Sequence, residues 1–227
     1  VEAKGKTLGV FGLGRIGGEV AKRADALGMN VVAYDPFVSQ NRADELGAEL
    51  AEFDEVLERA DFISVHTPLT DDTRHMISDE EFEAMDDDVR LVHASRGGVV
   101  DEEAAARAVR KNEIAGAAFD VFDPEPPAED NPLLGVDDIV VTPHLGASTE
   151  SAQLNVAETI AVQVIEVLEG GVAETALNAP SVADETLQPY LELAETLGRL
   201  VVQIGESNVD EIEVEYAGEI ADEDVEP

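Results

Sequence analysis

The chain has 227 residues, 44% of them hydrophobic, with 51 acidic side chains against 14 basic ones and a formal net charge of −37. Nucleic acid and anionic membrane surfaces demand basic patches, and Lys4, Lys6, Lys22 and Lys111 are the only lysines present. Cysteine is absent, which excludes disulfides and thiolate metal sites and makes the cytoplasm the expected compartment.

The opening VEAKGKTLGV passes from a short apolar run into a glycine-rich loop, so no leader peptide is expected there. TLGVFGL (7–13) reads as a strand, RIGGEVAKRADALG (15–28) as a helix closed by Gly28, and NVVAYD (30–35) as a second strand. Four more strands are predicted at DFISVHTP (61–68), RLVHAS (90–95), AGAAFDVF (115–122) and DIVVTPH (138–144). Helices are expected between them at 39–47, 54–60, 79–86 and 101–112. This alternation predicts an α/β fold with a doubly wound, Rossmann-like parallel sheet, in which ligands sit at the carboxyl ends of the strands. So acidic a chain is ordinarily disordered, but its apolar runs recur regularly from Leu8 to Val141. The charge then fits a folded surface adapted to a salt-rich cytoplasm, where ~1 M salt shortens the Debye length to about 3 Å.

From Thr149 to Gly170 the pattern becomes one long helix. NAPSV (178–182) reads as a linker, 184–206 as an amphipathic helix and VDEIEVEYAGEIA (209–221) as a strand. The expected division is a nucleotide-binding domain at 1–150, a connecting helix at 151–177 and the start of a second α/β domain at 178–227. A helix and one strand cannot close a core of their own, and the first residue is not Met, so a piece of a longer protein is expected.

Gly12, Gly14 and Gly17 form a G-x-G-x-x-G between a predicted strand and a predicted helix. The first glycine permits a tight turn, the second lets backbone approach a pyrophosphate, and the third lets helix and strand pack closely. The phosphates would rest on the helix N-terminus. Asp35, at the end of the next strand, is placed to bond ribose hydroxyls and to repel a 2′-phosphate, which favours NAD over NADP.

Three further strand ends carry chemistry. Arg96 follows RLVHAS, where a guanidinium can clamp a carboxylate through paired hydrogen bonds; an internal ion pair with Asp101 or Glu102 is the structural alternative. His144 follows DIVVTP and can exchange a proton near neutral pH. Glu125, in FDVFDPEPP, sits among Pro124, Pro126 and Pro127, and a carboxylate there could orient the His144 ring. Asp120 could reach the nicotinamide end of the cofactor. His66, His75 and His93 read as histidines satisfied within the fold, with His66 near the cofactor. A cation, an acid and a base beside a dinucleotide form the set that hydride transfer from a 2-hydroxy acid needs.

The runs GKTLGVFGLGRIG (5–17), HTPLT (66–70), ASRGGVVDE (94–102), FDVFDPEPP (119–127) and TPHLGAST (142–149) resemble the D-isomer-specific 2-hydroxy-acid dehydrogenases in content and order. The resemblance implies that Arg96, Glu125 and His144 are catalytic, without a metal. It places Arg15, Ile16, Asp35, Thr67, Ala94, Asp120 and Gly146 at cofactor-contacting positions beside Gly12, Gly14 and Gly17. The tail from Leu177 to Ala221 is similar to the intervening domain of the long-form members that oxidise 3-phosphoglycerate. That substrate is therefore expected ahead of glyoxylate, hydroxypyruvate or D-lactate. A non-enzymatic NAD-sensing dimerisation module is the reading of a different class. The resemblance further implies a homodimer or homotetramer, a substrate domain completed before Val1, and little turnover by this piece alone.

Overall fold

The computed structural model describes residues 2–169, 193, 196–200 and 203. The chain divides into two units, Val1–Thr149 and Glu150–Pro227. In the first, β1 (Thr7–Phe11), α1 (Arg15–Ala26), β2 (Asn30–Tyr34), α2 (Gln40–Glu45) and β3 (Glu49–Leu50) come in order. They are followed by α3 (Phe53–Arg59), β4 (Phe62–Val65), α4 (Asp79–Glu83), β5 (Arg90–His93), α5 (Glu102–Lys111), β6 (Gly116–Phe119) and β7 (Ile139–Val141).

The strands form one sheet in the order β3-β2-β1-β4-β5-β6-β7, and every pairing in it is parallel. The chain winds outward from β1 through β2 to β3, then returns to β4 on the other side of β1 and winds away through β7. The junction of β1 and β4 is the switch point at which such sheets open a ligand crevice.

Strand side chains alternate between faces, and the core follows that alternation. Leu8, Val10, Val31 and Ala33 pack with Ala21, Ala24, Ala43 and Leu46. Phe11, Val32, Ile63, Val65 and Leu91 pack on the opposite face with Val56, Leu57, Phe82 and the alanines of α5. Gly9 lets α3 lie close, since a Cβ there would stand 2.9 Å from Val56 Cγ1. At the amino end of the sheet the Lys6 ammonium pairs with Asp61, which also accepts from the Thr7 amide.

The sequence predicts six strands here, and the structure adds β3, a two-residue strand paired with Val32 and Ala33. In the second unit α6 (Glu150–Leu168) occupies most of the long helix expected from Thr149. The linker at 178–182 and the strand at 209–221 lie outside the described residues, as does most of the helix at 184–206. No helix among the described residues is long and apolar enough to cross a membrane.

Candidate active site

One row of the sheet sets the site. Tyr34, Phe11, Val65, His93, Phe119 and Val141 stand side by side across β2, β1, β4, β5, β6 and β7. The residues that follow this row are Asp35, Gly12, His66, Ala94, Asp120 and Thr142. The glycine loop, Thr67, Arg96 and His144 therefore all emerge at one carboxyl edge. Parallel pairing alone brings together residues more than a hundred positions apart in the chain.

The glycine loop fills the switch point. Gly12 has φ +91°, and a Cβ on it would meet the His66 carbonyl at 3.1 Å; a Cβ on Gly17 would stand 1.9 Å from the Gly12 oxygen. Gly14, by contrast, faces open space. It caps α1 without any side-chain bond, and the first turn of α1 carries no acidic residue. Helices α3, α4 and α5 all place acids in that turn. In so acidic a chain, an amino terminus left free of carboxylates suits an anion. Arg15 and Ile16 are exposed on that turn.

Asp35 uses its carboxylate twice, accepting from the Leu13 amide at 2.7 Å and the Phe37 amide at 2.9 Å. It thus ties the glycine loop to the end of β2 while remaining half-exposed. Beside the loop, the Thr67 hydroxyl is buried without a hydrogen-bond partner among the described residues. An orphaned hydroxyl of this kind is satisfied by a bound polar group or a water. The open Gly14, the acid-free helix start, Asp35 and this hydroxyl together fit a dinucleotide.

Arg96 is exposed after β5, and its Nη1 donates to the Ser95 carbonyl at 2.7 Å. The anticipated alternative partners are engaged elsewhere. Asp101 caps α5 through the Ala104 amide and accepts from Ser78, while Glu102 accepts from the Asp123 amide and Asn131. Neither carboxylate pairs with Arg96. The turn after Arg96 is wedged against the loop that leads from β6 to Glu125, because a Cβ on Gly97 would stand 1.8 Å from the Phe122 oxygen.

Glu125 and His144 meet, with Glu125 Oε1 2.6 Å from His144 Nδ1. His144 sits in the left-handed region at φ +53°, an uncommon conformation for a residue with a side chain. The turn is imposed by Asp120, whose carboxylate accepts from the Thr142 hydroxyl and from the Leu145 and Gly146 amides at 2.7 and 2.8 Å. Burial pushes the Asp120 carboxyl up, but these three donors and the nearby His144 outweigh it and hold the group below its ordinary range. Asp120 and Gly146 thus shape the His144 turn from within the protein.

A cavity of about 250 Å³ adjoins the pair, lined by Phe122, Glu125, Pro126, Leu134, Thr142 and Pro143. A larger hollow of about 420 Å³ is walled by Asp101, Glu102, Glu103, Asp123 and Asp130, and so many carboxylates repel an anionic substrate. Among the described residues no cluster of His, Cys, Asp and Glu could hold a metal ion.

His66 and His93 are held within the fold as expected, whereas His75 is exposed. His66 Nε2 lies 2.8 Å from Ser64 Oγ, and burial lowers its proton affinity. His75 Nδ1 is 3.8 Å from Asp101. His93 is buried and bonds the Arg96 carbonyl. Sequence reasoning gave His93 no part in the site, nor did it find the Gly97–Phe122 contact. The available signal was a lone imidazole inside the apolar run RLVHAS.

The family model described as D-isomer specific 2-hydroxyacid dehydrogenase, NAD binding domain, matches residues 1–146. A second, described as D-3-phosphoglycerate dehydrogenase intervening domain, matches residues 186–227. The chain is similar to a D-3-phosphoglycerate dehydrogenase of Methanocaldococcus jannaschii, 46% identical over 98% of this chain and 43% of that protein. Its counterpart in Bacillus subtilis is 43% identical over 97% of this chain and 42% of that protein. The chain thus spans less than half the length of these relatives. Among solved structures, a D-lactate dehydrogenase with NAD+ from Lactobacillus jensenii is 34% identical, with a TM-score of 0.70 over 79% of this chain and 57% of that one.

Proposed function

The chain belongs to the D-isomer specific 2-hydroxyacid dehydrogenases, and from that premise we propose that the whole protein oxidises 3-phosphoglycerate to 3-phosphohydroxypyruvate, the entry to serine biosynthesis. The observation that carries the chemistry is the 2.6 Å contact between Glu125 and His144. The substrate is supported by the intervening-domain match and by relatives that bear that enzyme's name.

In this reading Arg96 takes the substrate carboxylate through paired N–H donors and polarises the forming carbonyl. With His144 Nδ1–H donating to Glu125, the Nε2 lone pair is the base that accepts the hydroxyl proton. Glu125 fixes that tautomer and stabilises the imidazolium that results. NAD bound on the glycine loop would supply the acceptor for the hydride from the substrate carbon. Gly12, Gly14 and Gly17, with Arg15, Ile16 and Thr67, would cradle its phosphates, and Asp35 its ribose. Ala94 would border its nicotinamide half.

The test is NADH formation from 3-phosphoglycerate by the complete protein in molar KCl, with glyoxylate, hydroxypyruvate and D-lactate in parallel. Turnover on 3-phosphoglycerate that vanishes in His144→Ala is the expected outcome. Turnover on another acid alone would replace the substrate, and NAD binding without any turnover would favour a sensing module.

A further inference from the structure

His93 is the most enclosed titratable side chain left aside by the proposed chemistry. It is the last residue of β5, 1% exposed, with its ring edge-on to Phe119 at 5.6 Å between centroids. Its Nε2 lies 2.9 Å from the Arg96 carbonyl. A carbonyl only accepts, so Nε2 carries the hydrogen and Nδ1 is the acceptor. Ser95 Oγ stands 3.5 Å from that nitrogen. The His93 backbone carbonyl in turn accepts from the Asp120 amide at 2.9 Å. One residue therefore holds the backbone that bears the arginine and the backbone of the carboxylate that shapes the His144 turn.

We propose that His93, as its neutral Nε2–H tautomer, is a positioning residue that fixes the 93–96 turn and with it the placement of Arg96. The inference rests on the reading of Arg96 as the substrate anchor. The only other donor to the Arg96 carbonyl among the described residues is the Val99 amide, at 3.4 Å. Without the imidazole, the Arg96 carbonyl keeps only that long bond among the described residues. Burial pushes the imidazole down to about 4, with the Arg96 carbonyl opposing, so the same tautomer persists across neutral pH.

The test compares the complete protein with its His93→Leu and His93→Gln variants. Leucine removes the donor, and glutamine returns an N–H near the place of Nε2. In His93→Leu, KM for 3-phosphoglycerate should rise by roughly tenfold, the worth of one buried hydrogen bond. NAD affinity, read by fluorescence titration, should stay unchanged, and glutamine should restore most of the loss. An unchanged KM overturns the proposal, and so does a joint loss of acid and NAD affinity that glutamine does not rescue. The tautomer is read independently of turnover, by nitrogen–proton NMR of the imidazoles at neutral pH, with His93 assigned by its absence from His93→Gln. A ring protonated at Nδ1 overturns the proposal even in a protein that is fully active. An Nε2–H ring in a protein inert to every hydroxy acid supports the bond and overturns the proposed function instead.

Discussion

Gly97 and Phe122 meet so closely that a Cβ on the glycine would stand 1.8 Å from the phenylalanine's carbonyl oxygen. The turn that bears Arg96 and the loop that leads from β6 to Glu125 are thus in backbone contact, and their spacing leaves no room for a side chain. Gly97→Ala should force the two apart, at a stability cost of about 1–3 kcal/mol. Displacing Arg96 from the acid–base pair should lower kcat/KM by roughly a hundredfold. Thermal unfolding and steady-state kinetics of the complete protein measure both; a variant that matched the parent would mean that the turn yields freely.

His144 and Glu125 should separate by magnitude. Loss of the base in His144→Ala is expected to lower kcat by about 10²–10⁴-fold. Glu125→Gln keeps a group that can still hold the ring, so its loss should be smaller, roughly 10–100-fold. Equal losses from the two substitutions would give the carboxylate a part beyond orienting the imidazole.

Asp35 serves the fold as well as the proposed ribose contact, because it accepts from the Leu13 and Phe37 amides. Asp35→Ala should weaken NAD binding by about tenfold and narrow the preference over NADP. It should also lower the unfolding midpoint without ligand, since the glycine loop loses its tie to β2. Nucleotide titrations and scanning calorimetry check the two halves, and equal affinity for NAD and NADP in the parent would remove the ribose argument.

The pH dependence of stability has a definite sign at His93. Burial lowers its folded-state value from 6.5 to about 4, so on acidification the unfolded chain takes up a proton that the folded one refuses. The contribution is whole above the unfolded value and is lost as pH falls toward the folded one, on the order of 3 kcal/mol in full. Titration of the surface carboxylates changes stability too, but alike in parent and variant. His93→Gln should therefore lose less stability than the parent between about pH 7 and about pH 4.5. Parallel curves from denaturant unfolding would show that the ring is not held neutral.

A formal charge of −37 repels itself over about 30 Å in 0.01 M salt and about 3 Å in 1 M salt. Unfolding midpoints should rise steeply from low to molar KCl. A flat response would leave the charge without the explanation proposed for it.

The strand–helix alternation, the glycine loop and the Arg96, Glu125 and His144 positions were all legible because each rests on local pattern. Apolar runs mark the strands, and the residues after them fall at one edge of any parallel sheet. Strand β3 was not legible, since Glu49–Leu50 offers neither a run nor an alternation and exists only through pairing with β2. The freedom of Arg96 from Asp101 and Glu102 was equally hidden, because both acids are taken by partners, among them Ser78, Asp123 and Asn131. His93 was read correctly as satisfied within the fold, but which carbonyl it bonds depends on the shape of the turn. The closeness of Gly97 to Phe122 depends on two loops whose approach no spacing in the chain encodes.

The all-parallel sheet has a consequence for how the molecule forms. No neighbouring strands are joined by a tight hairpin, so every pairing must close a long crossover before it gains a contact. His144 follows β7, the last strand of this sheet in chain order, and its partner Glu125 follows β6. During refolding, the glycine loop needs β1, β2 and β4, since Asp35 and His66 flank it. The Glu125–His144 pair must wait until β6 and β7 dock. Nucleotide binding is thus expected to return before the acid–base pair does.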